Sequence, residues 1–252
     1  MTASTLVFGG TGGIGQAVVR RFAGTGDSVC FTYLRAEESA QRLVAEMVRQ
    51  GHDVSCQQLD ARDDAATRAI VQSCGDPLHT VVFAVASGVH RPLEDVKPKH
   101  VDWTFDVSAR SFLLLFGHVL GPLARNGGTI TTLSSVGSRR VLPNYALVGM
   151  AKAAMEATVR YAAVEAAPRG VRVNCVCAGV VDTKAIESFP DRGERLRAAS
   201  ARTPMGRLVT PEEVAAAIAW LASPEAAMVT GHNLVVDGGF ELPEMLGSDG
   251  FD

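Results

Sequence analysis

Tyr145 and Lys152 are the residues of this chain best suited to acid–base chemistry, and they stand seven positions apart in N-Y-A-L-V-G-M-A-K. A phenol with a pKa near 10 is a poor acid–base partner at neutral pH, but a nearby cation favours its ionised form. On an α-helix, seven residues return to almost the same face after a rise of roughly 10 Å. Val148, four positions before Lys152, cannot donate a proton. The spacing predicts that Tyr145 and Lys152 share one site, with a surface tyrosine beside Pro143 as the alternative.

A glycine-rich loop near the start of the chain is a second candidate site. Gly9, Gly13 and Gly15 form the pattern G-x-x-x-G-x-G directly after an apolar run and at the start of a helical one. Glycine allows a tight turn and lets the backbone approach a pyrophosphate, and the free amides of a helix N-terminus stabilise that anion. We therefore predict a dinucleotide site, with a glycine turn that binds no ligand as the alternative.

The end of the second predicted strand indicates which dinucleotide binds. Sites for NAD usually carry an acidic residue here, which holds the ribose 2′-hydroxyl. The segment Phe31-Thr32-Tyr33-Leu34-Arg35 offers none before Glu37, and an arginine suits a 2′-phosphate. We predict NADPH rather than NADH, recognised by Arg35. An exposed arginine at the start of a helix is the alternative interpretation.

Short apolar or β-branched runs alternate with helical patterns along the chain. The predicted strands are 5–8, 28–33, 53–59, 79–85, 128–134, 171–177 and 233–236. The predicted helices are 13–24, 36–50, 63–73, 98–125, 146–166 and 211–222. This alternation predicts an α/β fold, a single Rossmann-like domain over residues 1–252 with a doubly wound parallel sheet of about seven strands flanked by helices. Residues 184–207 are polar and poorly periodic, which predicts a mobile flap over the substrate, and 241–252 is predicted to be a loose tail.

The composition argues against several classes of protein. The 252 residues fit one α/β domain, and a hydrophobic share of 47% suffices for its core. A net charge of −3 without a basic run argues against nucleic acid and anionic membrane as partners. We see no signal peptide and no apolar stretch of 18 residues, and we expect the five cysteines to be reduced core residues, so the prediction is a cytoplasmic protein. The six histidines show no metal-ligand spacing, so no metal site is expected.

These motifs together resemble the short-chain dehydrogenase/reductase superfamily, although Phe8 takes the place of its usual first threonine. Most of its members carry Tyr-x-x-x-Lys, whereas the Tyr-x6-Lys spacing is similar to the enoyl-acyl-carrier-protein reductase branch. Segments 87–92 and 102–104 are similar to the NADPH-dependent type III of that branch. The resemblance covers about residues 5–240. It implies a homotetramer and an enoyl thioester substrate on acyl-carrier protein or coenzyme A.

The resemblance also implies a role for each residue of the site. Tyr145 and Lys152 form the catalytic pair, in which the lysine binds the nicotinamide ribose and lowers the pKa of the phenol. Ser135 holds the superfamily's catalytic-serine position, where it either orients the thioester or only bonds the adjacent loop. Asp60 and Ala61 resemble an adenine-contact motif, with Asp60 as a helix cap as the alternative. The residues implied in cofactor binding are Gly9, Thr11, Gly13, Ile14, Gly15, Tyr33, Arg35, Asp60, Ala61, Ala84, Lys152 and, on the nicotinamide side, Thr183.

The displaced tyrosine favours reduction of a carbon–carbon double bond. In a ketone, the carbon that accepts hydride bears the oxygen itself. In an enoyl thioester, hydride adds to C3 and negative charge develops on the thioester oxygen, further along the conjugated system. The hydrogen-bond donor for that oxygen must then lie further from the nicotinamide, where Tyr145 would serve in an oxyanion-hole role.

Two departures from the superfamily pattern keep other functions open. The motif Asn-Asn-Ala-Gly is replaced by residues 83–86, Phe-Ala-Val-Ala, and Ser108 stands where a proton-relay asparagine is usual. One alternative is a β-ketoacyl or other carbonyl reductase with a displaced tyrosine, which Val148 argues against. Another is a protein that binds NADPH without turnover, which an intact Tyr145 and Lys152 argue against.

Overall fold

The computed structural model describes residues 4–74, 76–183 and 192–242, and its centre is a parallel β-sheet. The strands are β1 (Thr5–Phe8), β2 (Val29–Tyr33), β3 (Val54–Gln58), β4 (Thr80–Phe83), β5 (Thr129–Ser135), β6 (Arg172–Ala178) and β7 (Asn233–Val236). They lie in the order β3-β2-β1-β4-β5-β6-β7, and neighbouring strands pair in parallel. This confirms the predicted α/β class and the seven predicted strands.

Helices cover both faces of the sheet. They are α1 (Gly13–Gly24), α2 (Glu37–Arg49), α3 (Asp64–Ser73), α4 (Pro98–Phe105), α5 (Ser111–Ala124), α6 (Ala146–Ala166), α7 (Arg192–Arg202) and α8 (Pro211–Ala222). Apolar side chains of α1, α2 and α8 share one buried cluster with strand residues such as Val7, and those of α3, α5 and α6 share another with Leu6 and Phe8. Successive strand residues thus enter alternate cores, which is why the strands are continuously apolar in sequence.

One predicted element needs correction, and two others are only partly described. The predicted helix 98–125 consists of α4 and α5, joined by a π-helical turn over Asp106–Arg110. Apolar periodicity does not reveal one widened turn. The predicted flap 184–207 contains α7, whose sequence is so polar that no apolar stripe marks it; residues 184–191 lie outside the described residues. Of the predicted tail, only 241–242 are described, at the end of a turn.

The stretch 98–124 is, within the described ranges, the one helical segment long and apolar enough by length and composition to cross a membrane. This segment contradicts the expectation that the chain has no apolar stretch of 18 residues. Its buried residues include Phe112, Leu115 and Val119, which belong to the core between α3, α5, α6 and the sheet. The core helix of a soluble protein meets the same criteria, so this segment is weak evidence for a membrane.

The C-terminal ends of the strands bring the predicted site residues to one edge of the sheet. Gly9 and Ala84 directly follow β1 and β4, and Ser135 ends β5. Arg35 and Asp60 lie just beyond β2 and β3. The order of strands reverses between β1 and β4, and open α/β sheets bind ligands in the crevice at such a switch point.

Candidate active site

The loop between β1 and α1 forms a cradle for an anion. Gly9 has a φ of +82°, which favours glycine, and a Cβ on Gly15 would lie 2.2 Å from the Gly9 carbonyl oxygen. α1 begins after Gly12 with no side-chain cap and no acidic residue in its first turn, so its first amides are open to a phosphate. A Cβ on Gly13 would lie 2.6 Å from Cγ2 of Thr183. The loop therefore fits a pyrophosphate and lies against the residue predicted for the nicotinamide side.

Thr32 anchors this loop, a role that sequence reasoning missed. Its hydroxyl accepts a hydrogen bond from the Gly9 amide at 3.2 Å, and its carbonyl accepts one from the Gly10 amide at 2.9 Å. A Cβ on Gly10 would lie 2.6 Å from the side chain of Phe31, so the loop packs tightly on β2. The only signal in the sequence was a threonine within an otherwise apolar strand.

Phe8 and Phe83, which replace polar residues of the superfamily, pack on each other. They are register partners on β1 and β4, and their ring centroids lie 6.1 Å apart. Phe83 also packs on Phe112, with centroids 5.5 Å apart, and all three side chains are buried. Apolar rings thus stack at these strand ends where the superfamily has polar residues. Apolar side chains avoid the free-energy cost of a buried polar group that lacks a hydrogen-bond partner.

A cleft of about 350 Å³ runs alongside the glycine loop. Seven predicted cofactor residues line it, namely Gly9, Thr11, Tyr33, Arg35, Asp60, Ala61 and Ala84. The predicted residues outside its walls are Gly13, Ile14, Gly15, Lys152 and Thr183. Of these, Ile14 packs partly buried on the core under α1. Arg35 lines the cleft and is exposed just before the N-cap of α2, so its role toward a 2′-phosphate stays a prediction.

Asp60 does not cap a helix, because its carboxylate binds Arg62. The guanidinium donates to both carboxylate oxygens, with the shortest distance 2.6 Å from Nη2 to Oδ2, and this pairing lowers the pKa of Asp60. Asp63 caps α3 instead, accepting a hydrogen bond from the amide of Ala66. The Arg62 guanidinium also stacks over the ring of Trp103 at 4.4 Å. A cation and an aromatic ring therefore border the end of the cleft predicted for adenosine.

Tyr145 is the residue directly before α6, and its phenol contacts Ser135 and Gly137 among other residues. The hydroxyl donates a hydrogen bond to Oγ of Ser135 at 3.2 Å. The ring lies on Gly137, where a Cβ would come 2.4 Å from two ring carbons. Burial raises the pKa of Tyr145, and the bond to Ser135 offsets only part of that effect. The phenol is therefore neutral at pH 7 and suited to donate a hydrogen bond.

Lys152 is buried beneath the site, with 4% of its surface exposed. Its ammonium donates a hydrogen bond to the carbonyl oxygen of Leu133 at 2.8 Å. Burial lowers the pKa of Lys152 to about 8, although Cys175, Cys177 and Glu156 act in the opposite direction. The lysine is therefore still mostly charged at pH 7, at a cost in desolvation.

The expectation that Lys152 lowers the pKa of Tyr145 is wrong for this structure. The pKa of the phenol is raised, burial is the largest cause, and the side chains that act on it are Ser135 and Cys177. The physical reason is that the ammonium is bonded to β5 while the phenol loses solvent against its own packing neighbours. Ser135 accepts hydrogen bonds from the Tyr145 hydroxyl and, at 3.4 Å, from the amide of Gly137 in the adjacent loop, while its role toward a thioester stays a prediction.

Glu156 is a buried carboxylate that sequence reasoning missed. The hydroxyls of Ser134 and Ser138 both donate to its Oε1 at 2.5 Å. It follows Lys152 by one helical turn, and its charge favours the charged lysine. Glu156 therefore connects α6 to the end of β5 and to the loop after β5, beneath Tyr145 and Lys152. The available signal was an acid four residues after the lysine.

Val148 and Ser108, where this chain departs from the superfamily, are both packing positions. Val148 is 8% exposed, and its Cγ2 would lie 2.3 Å from a Cβ on Gly88. Ser108 is 2% exposed within the π-helical turn, which packs against α6. The space that a tyrosine four residues before Lys152 would need is thus filled by the chain after β4.

Replacement of Gly149 by alanine is expected to destabilise the protein by about 1–3 kcal/mol, because an added methyl group overpacks a tight contact. Gly149 is in the first turn of α6, and a Cβ there would lie 2.4 Å from the carbonyl oxygen of Gly137. Gly117 in α5 is the matched control, since a Cβ there meets nothing within 4 Å and alanine should stabilise that helix. Urea unfolding of both variants tests this, and a gain in stability for Gly149→Ala would contradict it.

Comparison with known proteins shows the family of the chain. The sequence profile of the family described as "Enoyl-(Acyl carrier protein) reductase" matches residues 9–241. The chain is 35% identical over 244 residues to 1-cyclohexenylcarbonyl-CoA reductase of Streptomyces collinus, which covers 94% of this chain and 86% of that protein. It is 32% identical over 247 residues to the NADH-dependent enoyl-[acyl-carrier-protein] reductase of Escherichia coli strain K12, covering 92% and 89%.

Solved structures agree with the fold. The structure of BdcA in complex with NADPH superimposes with a TM-score of 0.82 at 31% identity, covering 94% of this chain and 93% of that one. The chain is an oxidoreductase of the short-chain dehydrogenase/reductase superfamily and belongs to its enoyl-(acyl carrier protein) reductase family.

Proposed function

We propose that this protein uses NADPH to reduce the carbon–carbon double bond of an enoyl thioester carried by coenzyme A or acyl-carrier protein. The observation that carries the proposal is the pairing of Tyr145 with Lys152 at a spacing of seven, while Val148 fills the place of the usual tyrosine. A relative named 1-cyclohexenylcarbonyl-CoA reductase and another named enoyl-[acyl-carrier-protein] reductase support it.

The glycine cradle, Arg35, Asp60, Lys152 and Thr183 are the groups that would hold NADPH. The bound cofactor supplies the hydride that adds to C3 of the enoyl group. Tyr145, neutral at pH 7, donates a hydrogen bond to the thioester oxygen as negative charge develops there. The enolate then takes a proton at the α-carbon from solvent, which completes the saturated thioester. A phenol of raised pKa suits this task, because it stabilises an oxyanion without first losing its own proton.

Side-by-side assays of crotonyl-coenzyme A and acetoacetyl-coenzyme A, each with NADPH and with NADH, test the reaction. We expect cofactor oxidation with crotonyl-coenzyme A and none with acetoacetyl-coenzyme A. Turnover of acetoacetyl-coenzyme A alone would make this a carbonyl reductase with a displaced tyrosine. If neither reacts, NADPH binding measured by fluorescence separates an enzyme for a specialised acyl group, tested next with cyclic and branched enoyl thioesters, from a chain that binds no cofactor.

Arg35 is proposed to recognise the 2′-phosphate of NADPH. We expect Arg35→Gln to weaken NADPH binding about 10- to 100-fold, the loss of a charge-assisted hydrogen bond, and to leave NADH binding nearly unchanged. Arg42→Gln is the matched control, since Arg42 is an exposed arginine of α2 paired with Glu38. Dissociation constants from cofactor fluorescence decide the matter, and equal weakening of both cofactors would contradict this role.

A homotetramer is proposed as the assembly. Exposed apolar side chains on α5 and α6, namely Leu113, Tyr161 and Val164, support a contact between copies. Val164→Glu is therefore expected to shift the tetramer to smaller species in sedimentation velocity, because a charge would be buried. Val48→Glu on α2, at an equally apolar exposed position, should leave the assembly intact. A wild-type protein that sediments only as a monomer would contradict the proposal.

A further inference from the structure

His90 lies against the phenol ring of Tyr145. The two ring centroids are 5.3 Å apart and the ring planes are inclined by 32°, which is within the range of attractive aromatic contacts. Burial lowers the pKa of His90, so the imidazole is neutral at pH 7 and can pack on the phenol without the cost of a buried charge. Neither the Tyr-x6-Lys motif nor the chemistry proposed above uses this histidine.

The backbone around His90 is bonded to the same elements that form the site. The amide of Arg91 donates a hydrogen bond to the carbonyl oxygen of Asn144 at 2.9 Å, directly before Tyr145. The amide of Val89 donates to Oγ1 of Thr104 on α4 at 3.3 Å. Hydrogen bonds on both sides of His90 thus fix its backbone. The position from which the imidazole extends is fixed with it.

Hydrogen bonds to Leu142 and Gly149 hold the backbone of Tyr145, but they do not set the direction of its ring. Tyr145 precedes α6 with φ −107° and ψ 3°, outside helical geometry, and it follows Asn144 in the left-handed region at φ +61°. The hydrogen bond from its hydroxyl to Ser135 is 3.2 Å long. Gly137 has no side chain, so it contacts the ring only through its backbone. His90 supplies the aromatic surface among these contacts.

We propose that His90 is a positioning residue that holds the Tyr145 phenol in the orientation needed to donate to the substrate oxygen. The inference rests on the proposed enoyl-thioester reduction, since that reaction makes the direction of the phenolic O–H decisive. The contact that carries this proposal is the one between the two rings. A non-polar aromatic residue should therefore replace His90, whereas a small residue should not.

The test compares His90→Ala and His90→Phe with the wild-type enzyme, with crotonyl-coenzyme A and NADPH as substrates. We expect kcat to fall about 10- to 100-fold in His90→Ala, as for a misplaced catalytic group, and to stay within about threefold of wild type in His90→Phe. The dissociation constant of NADPH should be unchanged in both variants, because His90 is not one of the residues proposed to hold NADPH and does not line the cleft. An unchanged kcat in His90→Ala overturns the proposal. Equal loss in both variants also overturns it, in favour of a chemical role for the imidazole nitrogens.

A second measurement needs no turnover and separates this inference from the proposed function. In protein labelled with ¹³C in its tyrosine rings, the Tyr145 signals are assigned by their loss in Tyr145→Phe. We expect these signals to shift in His90→Ala, which lacks a ring beside the phenol, and to stay near the wild-type positions in His90→Phe. If the wild type reduces no enoyl thioester, the proposed function fails while this contact is still tested. Unshifted Tyr145 signals in His90→Ala would overturn the positioning role whatever the reaction.

Discussion

Replacement of Tyr145 by phenylalanine is expected to lower kcat for an enoyl thioester about 100- to 1000-fold, which is the usual loss when one oxyanion donor is removed. Phenylalanine keeps the ring that packs on Gly137 and His90 and removes only the hydroxyl that reaches Ser135. The fold and the binding of NADPH should therefore be retained. Steady-state kinetics with crotonyl-coenzyme A and fluorescence titration with NADPH measure the two quantities.

Tyr161→Phe is the control for this experiment. Tyr161 lies on the same helix, α6, but it is 75% exposed and remote from the glycine cradle in sequence, so its hydroxyl should not affect turnover. Unchanged turnover in Tyr145→Phe would remove the phenol from the mechanism and with it the proposed meaning of the seven-residue spacing. A parallel loss in Tyr161→Phe would point to an effect on the helix or its assembly instead.

Replacement of Lys152 by methionine is expected to have opposite effects on activity and on stability. Activity should fall about 100-fold or more, because charge-assisted hydrogen bonds to the ribose hydroxyls would be lost. The free energy of unfolding should rise at pH 7, since methionine fills a similar volume without a buried charge. Burial lowers the pKa of Lys152 from 10.5 to about 8, which corresponds to a cost of at most about 3 kcal/mol. Loss of the bond to Leu133 would reduce that gain by about 1 kcal/mol.

The pH dependence of this gain follows from the direction of the shift. In the folded protein the lysine loses its proton near pH 8, whereas in the unfolded chain it keeps the proton until about pH 10.5. The cost of the buried charge is therefore fully present below pH 8, declines between pH 8 and 10.5 and is absent above that range. Urea unfolding of wild type and Lys152→Met at pH 7 and pH 10 measures it. Lys99→Met, at an exposed position of α4, should show no gain at either pH; an equal gain there, or a Lys152→Met gain independent of pH, would contradict the account.

Much of the fold and of the cofactor site could be predicted from local sequence patterns. Apolar strand segments alternate with helical segments in the sequence because helices bury both faces of each strand. Strands that alternate with helices in this way form a parallel sheet. Gly9 and Gly15 mark the cradle because only glycine fits its close backbone contacts. The spacing of Tyr145 and Lys152 is likewise local, since both lie at the start of one helix. These features depend on neighbours in the chain, so the sequence alone determines them.

The tertiary structure alone decided how the groups of the site act on one another. Thr32 supports the glycine loop from the next strand, and Glu156 binds serines from β5 and its loop, contacts that no spacing in the sequence encodes. The pKa of Tyr145 rises and that of Lys152 falls because each is buried, and burial is a sum over distant elements packed around a group. The contact of His90 with Tyr145 joins residues 55 positions apart in the numbering of the chain. The sequence by itself therefore determined which chemical groups are present and on which elements, while three-dimensional packing decided their partners, their protonation and their orientation.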